Sequence, residues 1–199
     1  MTDDEPIVIV IDDDAPFLRS TQRLIQDAGF KVLTFPSAEQ FLSSALPDAP
    51  TCLVLDVHLP DQSGLELQRQ LVRVGIDIPI IFMTGHGDIP TSVQAMKAGA
   101  VEFLTKPFHK RDLFDAIGQA LERAWLTRAK QTKQAALNSR YAMLTEPQRQ
   151  VAKLVCIGHS NQEIADETGS SLAMVKKHLY ATFRKLEVNS RSRLITLLQ

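Results

Sequence analysis

Four short aliphatic runs in this chain are each followed at once by residues able to do polar chemistry. Asp12, Asp13 and Asp14 come after Ile7–Ile11, Asp56 after 52–55, Thr84 after 78–83, and Thr105, Lys106 and Pro107 after 101–104. Carboxylates held close together repel one another and are costly unless a cation neutralises them. An all-oxygen set of this kind suits Mg²⁺ or Mn²⁺, hard ions that keep some waters and leave room for a phosphate oxygen. A nearby lysine supplies a compact positive charge for a phosphoryl group. The chemistry these residue types fit is transfer of a phosphoryl group onto a carboxylate.

Taken one at a time, each residue has a plainer reading. Asp12, Asp13 and Asp14 are equally good helix caps. A lone Asp after a strand is commonly a turn residue, and Thr84 and Lys106 alone would be surface residues. The elements that must position them argue for a site. The four runs, with a further one at 32–35, read as buried parallel strands. Amphipathic segments with helix punctuation lie between them. Segment 17–28 ends at Gly29, 38–46 follows Ser37 as a cap, 65–74 ends at Gly75, and 90–98 follows Asp88 and ends at Gly99. A fifth helix starts near Lys110. Five βα units predict a doubly wound α/β domain, (βα)5, built on a parallel five-stranded sheet. Such sheets bind ligands at the carboxyl ends of their strands, which is the edge where all these residues fall.

Residues 5–122 resemble the receiver domain of two-component response regulators. The resemblance rests on Asp12-Asp13-Asp14, Leu55-Asp56-Val57-His58-Leu59-Pro60-Asp61, Thr84-Gly85-His86-Gly87 and Lys106-Pro107-Phe108. It implies that Asp56 is the phosphoacceptor, charged by a sensor histidine kinase. It also implies that Asp12 and Asp13 hold Mg²⁺ together with Asp56 and the backbone carbonyl of His58. Thr84 and Lys106 would contact the phosphoryl oxygens, and Phe103 occupies the aromatic switch position that moves with Thr84. The Lys106–Pro107 bond is expected to be cis, a form that only X-Pro bonds adopt cheaply. His58 and His86 are read either as imidazoles that influence hydrolysis of an acyl phosphate or as partly exposed loop residues.

Neither Gly nor Pro occurs from Gln119 to Glu146, and Leu113, Ile117, Leu121, Ala124 and Trp125 keep helical spacing. The fifth helix is therefore expected to continue, at least to Lys130, into a polar linker. The expected boundaries are 1–124 for the receiver, 125–141 for the linker and 142–199 for a C-terminal all-α domain. That domain reads as four helices. They are 146–157 before Gly158, 162–168 capped by Asn161, one from Ser170 or Ser171 to Leu186, and Arg191–Leu198 capped by Ser190. Helix, tight Gly-containing turn and helix make a helix-turn-helix pattern.

Along 172–186, Val175, Leu179, Thr182, Phe183 and Leu186 share one apolar face. Lys176, Lys177, Tyr180 and Arg184 lie opposite, with Lys185 at the margin. Alone, a basic helix face is usually just solvated. Here Ser160-Asn161-Gln162-Glu163-Ile164-Ala165, Val175-Lys176-Lys177-His178-Leu179 and Lys185-Leu186-Glu187-Val188-Asn189-Ser190-Arg191 resemble the LuxR-type DNA-binding domain. Both resemblances together, in this order, are those of the FixJ/NarL class of response regulators. Thr84-Gly85-His86-Gly87-Asp88 and Met96-Lys97-Ala98-Gly99-Ala100 lean to the FixJ branch. The resemblance implies promoter DNA as a partner, with Lys176, Lys177 and Tyr180 at base edges and Arg184 among the DNA contacts. It implies dimerisation of the last helix through Leu194, Leu197 and Leu198, receiver homodimers on phosphorylation, and RNA polymerase as a further contact.

Composition sets the outer bounds. The chain has 199 residues, 44% hydrophobic and 23% charged, as in a folded rather than a disordered protein. No apolar run approaches the roughly 18 residues of a membrane span, so no membrane partner is expected. Two cysteines exclude a disulfide framework and a Cys-based zinc site. The acidic N-terminus Met1-Thr2-Asp3-Asp4-Glu5 is unlike a secretory signal, and the expected location is cytoplasmic. Residues 1–124 hold 10 basic against 18 acidic residues, and 125–199 hold 12 against 5, so the halves suit different partners. The expected function is a response-regulator transcription factor, not a turnover enzyme. The alternatives are a phosphorylation-independent DNA binder and a Mg²⁺-dependent phosphohydrolase. The latter would need an Asp-x-Asp nucleophile after the first strand, whereas Asp56 follows the third.

Overall fold

The structure is a computed structural model and describes residues 5–85 and 89–198. His86, Gly87 and the expected cap Asp88 lie outside the described residues. The chain divides into two compact units, Met1–Ala129 and Lys130–Gln199.

In the first unit the strands are β1 (Ile7–Ile11), β2 (Lys31–Phe35), β3 (Thr51–Asp56), β4 (Ile80–Thr84) and β5 (Glu102–Thr105). The helices are α1 (Ala15–Asp27), α2 (Ala38–Leu42), α3 (Gly64–Arg73), α4 (Ile89–Lys97) and α5 (Lys110–Ala142). All strand pairs are parallel, in the order β2-β1-β3-β4-β5. Alternate side chains of one strand go to opposite faces. Val8, Val10, Val54 and Ile81 pack under Ile25 of α1 and Leu113 of α5. Ile9, Ile11, Leu55 and Phe82 pack under Phe41 of α2 and Leu67 of α3. Burial on both faces explains why β1, β3 and β4 read as apolar runs, whereas the edge strands β2 and β5 are only partly buried and mix in polar residues; each large side chain removed from water contributes about 1.5–3 kcal/mol.

Three of the runs, those of β3, β4 and β5, end one residue before their strands do. Asp56 pairs with Met83 and Thr84 with Thr105, so these polar residues belong to the ladder itself. Helix α2 is shorter than the expected 38–46. Its C-terminal serines turn their hydroxyls back, Ser43 to the Glu39 carbonyl at 2.9 Å and Ser44 to that of Phe41 at 2.7 Å. Such local bonds satisfy a helix end without another turn. Ser37 does cap α2, accepting the Gln40 N–H.

The second unit holds α6 (Glu146–Cys156), α7 (Asn161–Thr168), α8 (Leu172–Leu186) and α9 (Arg191–Leu198), together with the C-terminal part of α5. Its core includes Val151, Val155, Ile164, Val175, Leu179 and Leu194. Ser160, not Asn161, caps α7. Ser160 has extended backbone, accepts the Glu163 N–H, and returns its own N–H to the Glu163 carboxylate in a capping box. Gly169 then closes the helix at φ 63, a left-handed conformation that suits a residue without Cβ. Ser171 caps α8, and Ser190 accepts the Arg193 N–H at the start of α9.

Leu194, expected at a dimer contact, faces inward in this structure. It is fully buried in the core of its own unit, because α9 packs on α6 and uses its apolar face there. Leu197 and Leu198 are half-buried against the same core. No helix among the described residues is long and apolar enough to cross a membrane.

Candidate functional site

The chain turns back on itself between β1 and β3, since β2 lies on one side of β1 and β3 on the other. That switch point opens a crevice at the carboxyl ends of both strands. Asp12 and Asp56 stand there, fully buried and 7% exposed, with Thr84 fully buried at the end of β4. Asp13 is exposed beside them. One carboxylate oxygen from each of Asp12, Asp13 and Asp56 lies within 4.8 Å of the others. Three hard oxygen donors at this spacing fit a Mg²⁺ or Mn²⁺ ion.

Lys106 reaches in from the end of β5. Its Nζ lies 2.5 Å from Asp12 Oδ2 and 2.5 Å from Asp56 Oδ2. The remaining oxygens are fixed by backbone. Asp12 Oδ1 accepts the Asp14 N–H and Asp56 Oδ1 accepts the His58 N–H, each at 2.9 Å. Both carboxylates are thus held at one oxygen by their own loop and at the other by a shared ammonium. Phe17 covers that ammonium, with Nζ 4.0 Å from its ring centre, and Phe108 meets Phe17 edge-on at 6.0 Å. A cation over an aromatic face gains a further electrostatic contact.

Burial pushes the Asp12 carboxyl above the ordinary carboxylate range, against the opposing bonds from Lys106 and the Asp14 N–H. Loss of water alone would lower the Lys106 pKa. The bonds to Asp12 and Asp56 outweigh it and hold the ammonium above its usual value. The lysine is therefore charged at neutral pH. The Lys106–Pro107 bond is cis, as expected, and the Lys106 N–H bonds the Thr84 carbonyl at 2.7 Å. Phe103 is half-buried, its ring 6.3 Å from Phe82. The His58 side chain is exposed; its backbone N–H is the part that engages Asp56.

Two residues that hold this loop escape a reading for polar chemistry. Gly64 starts α3 directly against the end of β3. A Cβ there would collide with the Asp56 carbonyl oxygen and crowd Leu55 and Phe82. Its only sequence signal is the Ser63…Glu66 capping box, which places a helix start at this glycine. Asp61 carries the motif-bearing loop across to α2, accepting the N–H groups of Glu39 at 2.7 Å and Ala38 at 3.4 Å. Its capping role spans more than twenty residues, so no local pattern announces it.

In the second unit, α7, the turn at Gly169 and α8 form the helix-turn-helix. Val175, Leu179, Thr182 and Leu186 are buried, while Lys176, Lys177, Tyr180 and Arg184 are exposed together on the outer side. Lys185 does not join them. Its ammonium donates to the Met143 carbonyl and to Gln148 Oε1, each at 2.8 Å.

Comparison with known proteins agrees with both halves. Residues 8–118 match the response regulator receiver domain, and residues 142–198 match the bacterial regulatory proteins of the luxR family. Nodulation protein W of Bradyrhizobium diazoefficiens is 44% identical over 95% of this chain and 83% of its own length. Transcriptional regulatory protein FixJ of Rhizobium meliloti is 37% identical over 94% of this chain and 92% of its own. The solved structure of response regulator StyR is 42% identical, covers 98% of each chain and superposes with a TM-score of 0.84. Family matches over both units and relatives over nearly the whole length place this chain among the response regulators that join a receiver domain to a LuxR-family DNA-binding domain and regulate transcription.

Proposed function

We propose that Asp56 receives a phosphoryl group from a sensor histidine kinase and that this event controls promoter binding by α8. The observation that carries the reading is Lys106 Nζ, 2.5 Å from both Asp12 and Asp56 inside a three-carboxylate cluster. A nucleophile, an acidic cation site and a fixed ammonium meet at one point. Asp12, Asp13 and Asp56, with the backbone carbonyl of His58, would hold Mg²⁺ or Mn²⁺, which supplies charge neutralisation for the phosphoryl oxygens. Asp56 Oδ2 attacks phosphorus, the bond to the donor nitrogen breaks, and an acyl phosphate remains. Lys106 passes from the Asp56 carboxylate to a phosphoryl oxygen, and the Thr84 hydroxyl takes another.

Phosphorylation adds about −1.5 to −2 charges to this edge. Thr84 and Phe103 then reorient and shift a pre-existing equilibrium of the surface formed by α4, β5 and the start of α5. In this reading residues 1–124 receive the signal, 125–141 link, and 142–199 bind DNA as a receiver-driven homodimer. Lys176, Lys177 and Tyr180 face bases and Arg184 the backbone phosphates, in the cytoplasm, where RNA polymerase is a further partner. Leu197 and Leu198 remain available to a dimer contact on DNA.

Treatment with a small phosphodonor and Mg²⁺ tests the proposal. Wild type should take up phosphate and move from monomer to dimer in light scattering, and Asp56→Asn should do neither. No uptake by wild type would leave a phosphorylation-independent DNA binder. Steady turnover of phosphate esters, lost in Asp56→Asn, would instead mark a phosphohydrolase.

A further inference from the structure

The exposed surface of α8 is not uniformly cationic. Met174 is 43% exposed and Leu172 37% exposed in its first turn, and Tyr180 is 67% exposed farther along. Single exposed apolar side chains are ordinary. One placed in the first turn of the helix that enters a DNA groove has a more specific use. The N-terminal residues of such a helix are the ones that reach base edges. The one apolar group on a major-groove base edge is the C5-methyl of thymine.

Met174 is the best placed of the three to use it. Ser171 Oγ accepts the Met174 N–H at 3.2 Å, and the Ser171 carbonyl accepts the Val175 N–H at 3.0 Å. The preceding turn is closed by Gly169 and by the Ser170 N–H on the Ala165 carbonyl. Buried Val175 anchors the next position. The backbone from which Met174 projects is thus fixed, while its own side chain stays in water. Side chains on a helix lean toward its N-terminus, so Met174 extends over the entering end. Lys177, three residues on, is its surface neighbour and brings the phosphate- or guanine-seeking charge alongside. A thioether chain adapts to an apolar partner of uncertain exact position.

We propose that Met174 reads the methyl group of a thymine in the major groove and is a specificity-determining residue for the operator. The idea rests on the DNA-binding reading of α8. Full-length protein, treated with phosphodonor, is used to select binding duplexes from a randomised pool. Each thymine of the selected duplex is then replaced by deoxyuridine, which removes only the methyl group.

In wild type, replacement of one such thymine should weaken binding about fourfold, as expected for losing the burial of one methyl group. Met174→Ala should lose this difference at that thymine alone. Met174→Leu, still apolar, should keep it. Lys177→Ala should weaken thymine and deoxyuridine duplexes alike and so preserve the ratio. Selection of sequences without any thymine-methyl dependence, or a ratio unchanged in Met174→Ala, would overturn the proposal while leaving the DNA-binding reading intact. A pool with no enriched sequence would overturn both.

Discussion

The carboxylate edge of the first unit and the basic side of α8 in the second both consist of charges, but they obey different physics. Asp12 is fully buried and Asp56 almost so, and each depends on the same Lys106 ammonium and on backbone N–H groups. Lys176, Lys177 and Arg184 are exposed. Charges withdrawn from water are expensive alone and strongly coupled when paired. Charges left in water interact weakly with one another and are screened by salt. On the proposed reading the first arrangement makes a switch, since one added phosphoryl group must disturb every member. The second makes an adhesive surface, in which each residue adds a little.

Removing the shared ammonium should show the difference most strongly. Lys106→Met leaves Asp12 and Asp56 facing each other without their cation. With the lysine side chain 16% exposed, the loss should be about 2–3 kcal/mol, somewhat below that for a fully buried pair. Urea unfolding followed by amide exchange in β1 and β3 measures it. Mg²⁺ should restore more stability to Lys106→Met than it adds to wild type, because no ammonium then competes for the same oxygens. Combined with Asp12→Asn, the effects should fall short of additivity by about 1 kcal/mol or more. A loss typical of a surface pair, under about 1 kcal/mol, would erase the distinction drawn above.

The supports of the site come next. Gly64→Ala forces a Cβ against the Asp56 carbonyl oxygen, so α3 or β3 must shift. We expect a cost of about 1–3 kcal/mol, as for overpacking elsewhere, together with slowed phosphate uptake at Asp56. Unimpaired uptake would mean that the two elements separate without moving the nucleophile.

Asp61 should matter less, because it is exposed. Slight burial would raise its carboxyl pKa, but the N–H groups of Glu39 and Ala38 bring it below the ordinary range. The ionised form is therefore favoured by folding. Its contribution is present above the unfolded pKa and is lost as pH falls through the depressed folded value. At neutral pH Asp61→Asn should cost about 0.5–1 kcal/mol, in the lower part of the range for a helix cap. Denaturant curves of Asp61→Asn and wild type should converge in acid. A gap that persists there would assign Asp61 a role other than its charge.

The contrast between the two regions also explains what was legible in the sequence. Strands buried on both faces write themselves as apolar runs, so β1, β3 and β4 and the polar residues at their ends could be read directly, with the partly buried β2 and β5 as shorter, mixed runs beside them. The last residue of β3, β4 and β5 could not, because pairing such as Asp56 with Met83 is a backbone matter that side-chain polarity does not record. Ser160 and Asn161 are both good caps, and only backbone conformation separates them. The spacing of Leu194, Leu197 and Leu198 reveals an apolar face but not what covers it; the protein's own core covers Leu194. Gly64 and Asp61 act across the tertiary structure, where a one-dimensional pattern carries no signal. Lys185 looked like a margin of the basic face until its acceptors on the α6 side were seen.

Lys185 supplies the finest test of the comparison, because it stands one residue from Arg184 yet is already engaged within the protein. Each exposed cation that meets a phosphate releases counterions on binding, so its removal should flatten the dependence of log affinity on log salt by about one unit. Arg184→Ala should do so, and Lys177→Ala, placed at a base edge, should relax base preference. Their small effects should add, within roughly 0.5 kcal/mol, since neither leaves a buried partner unsatisfied. Lys185→Gln should leave the salt slope nearly unchanged and instead lower the thermal stability of the isolated second unit, because the Met143 carbonyl and Gln148 lose a charged donor. Should Lys185→Gln flatten the slope as much as Arg184→Ala, the ammonium leaves its internal acceptors for DNA, and the line between structural and adhesive charge in α8 would have to be moved by one residue.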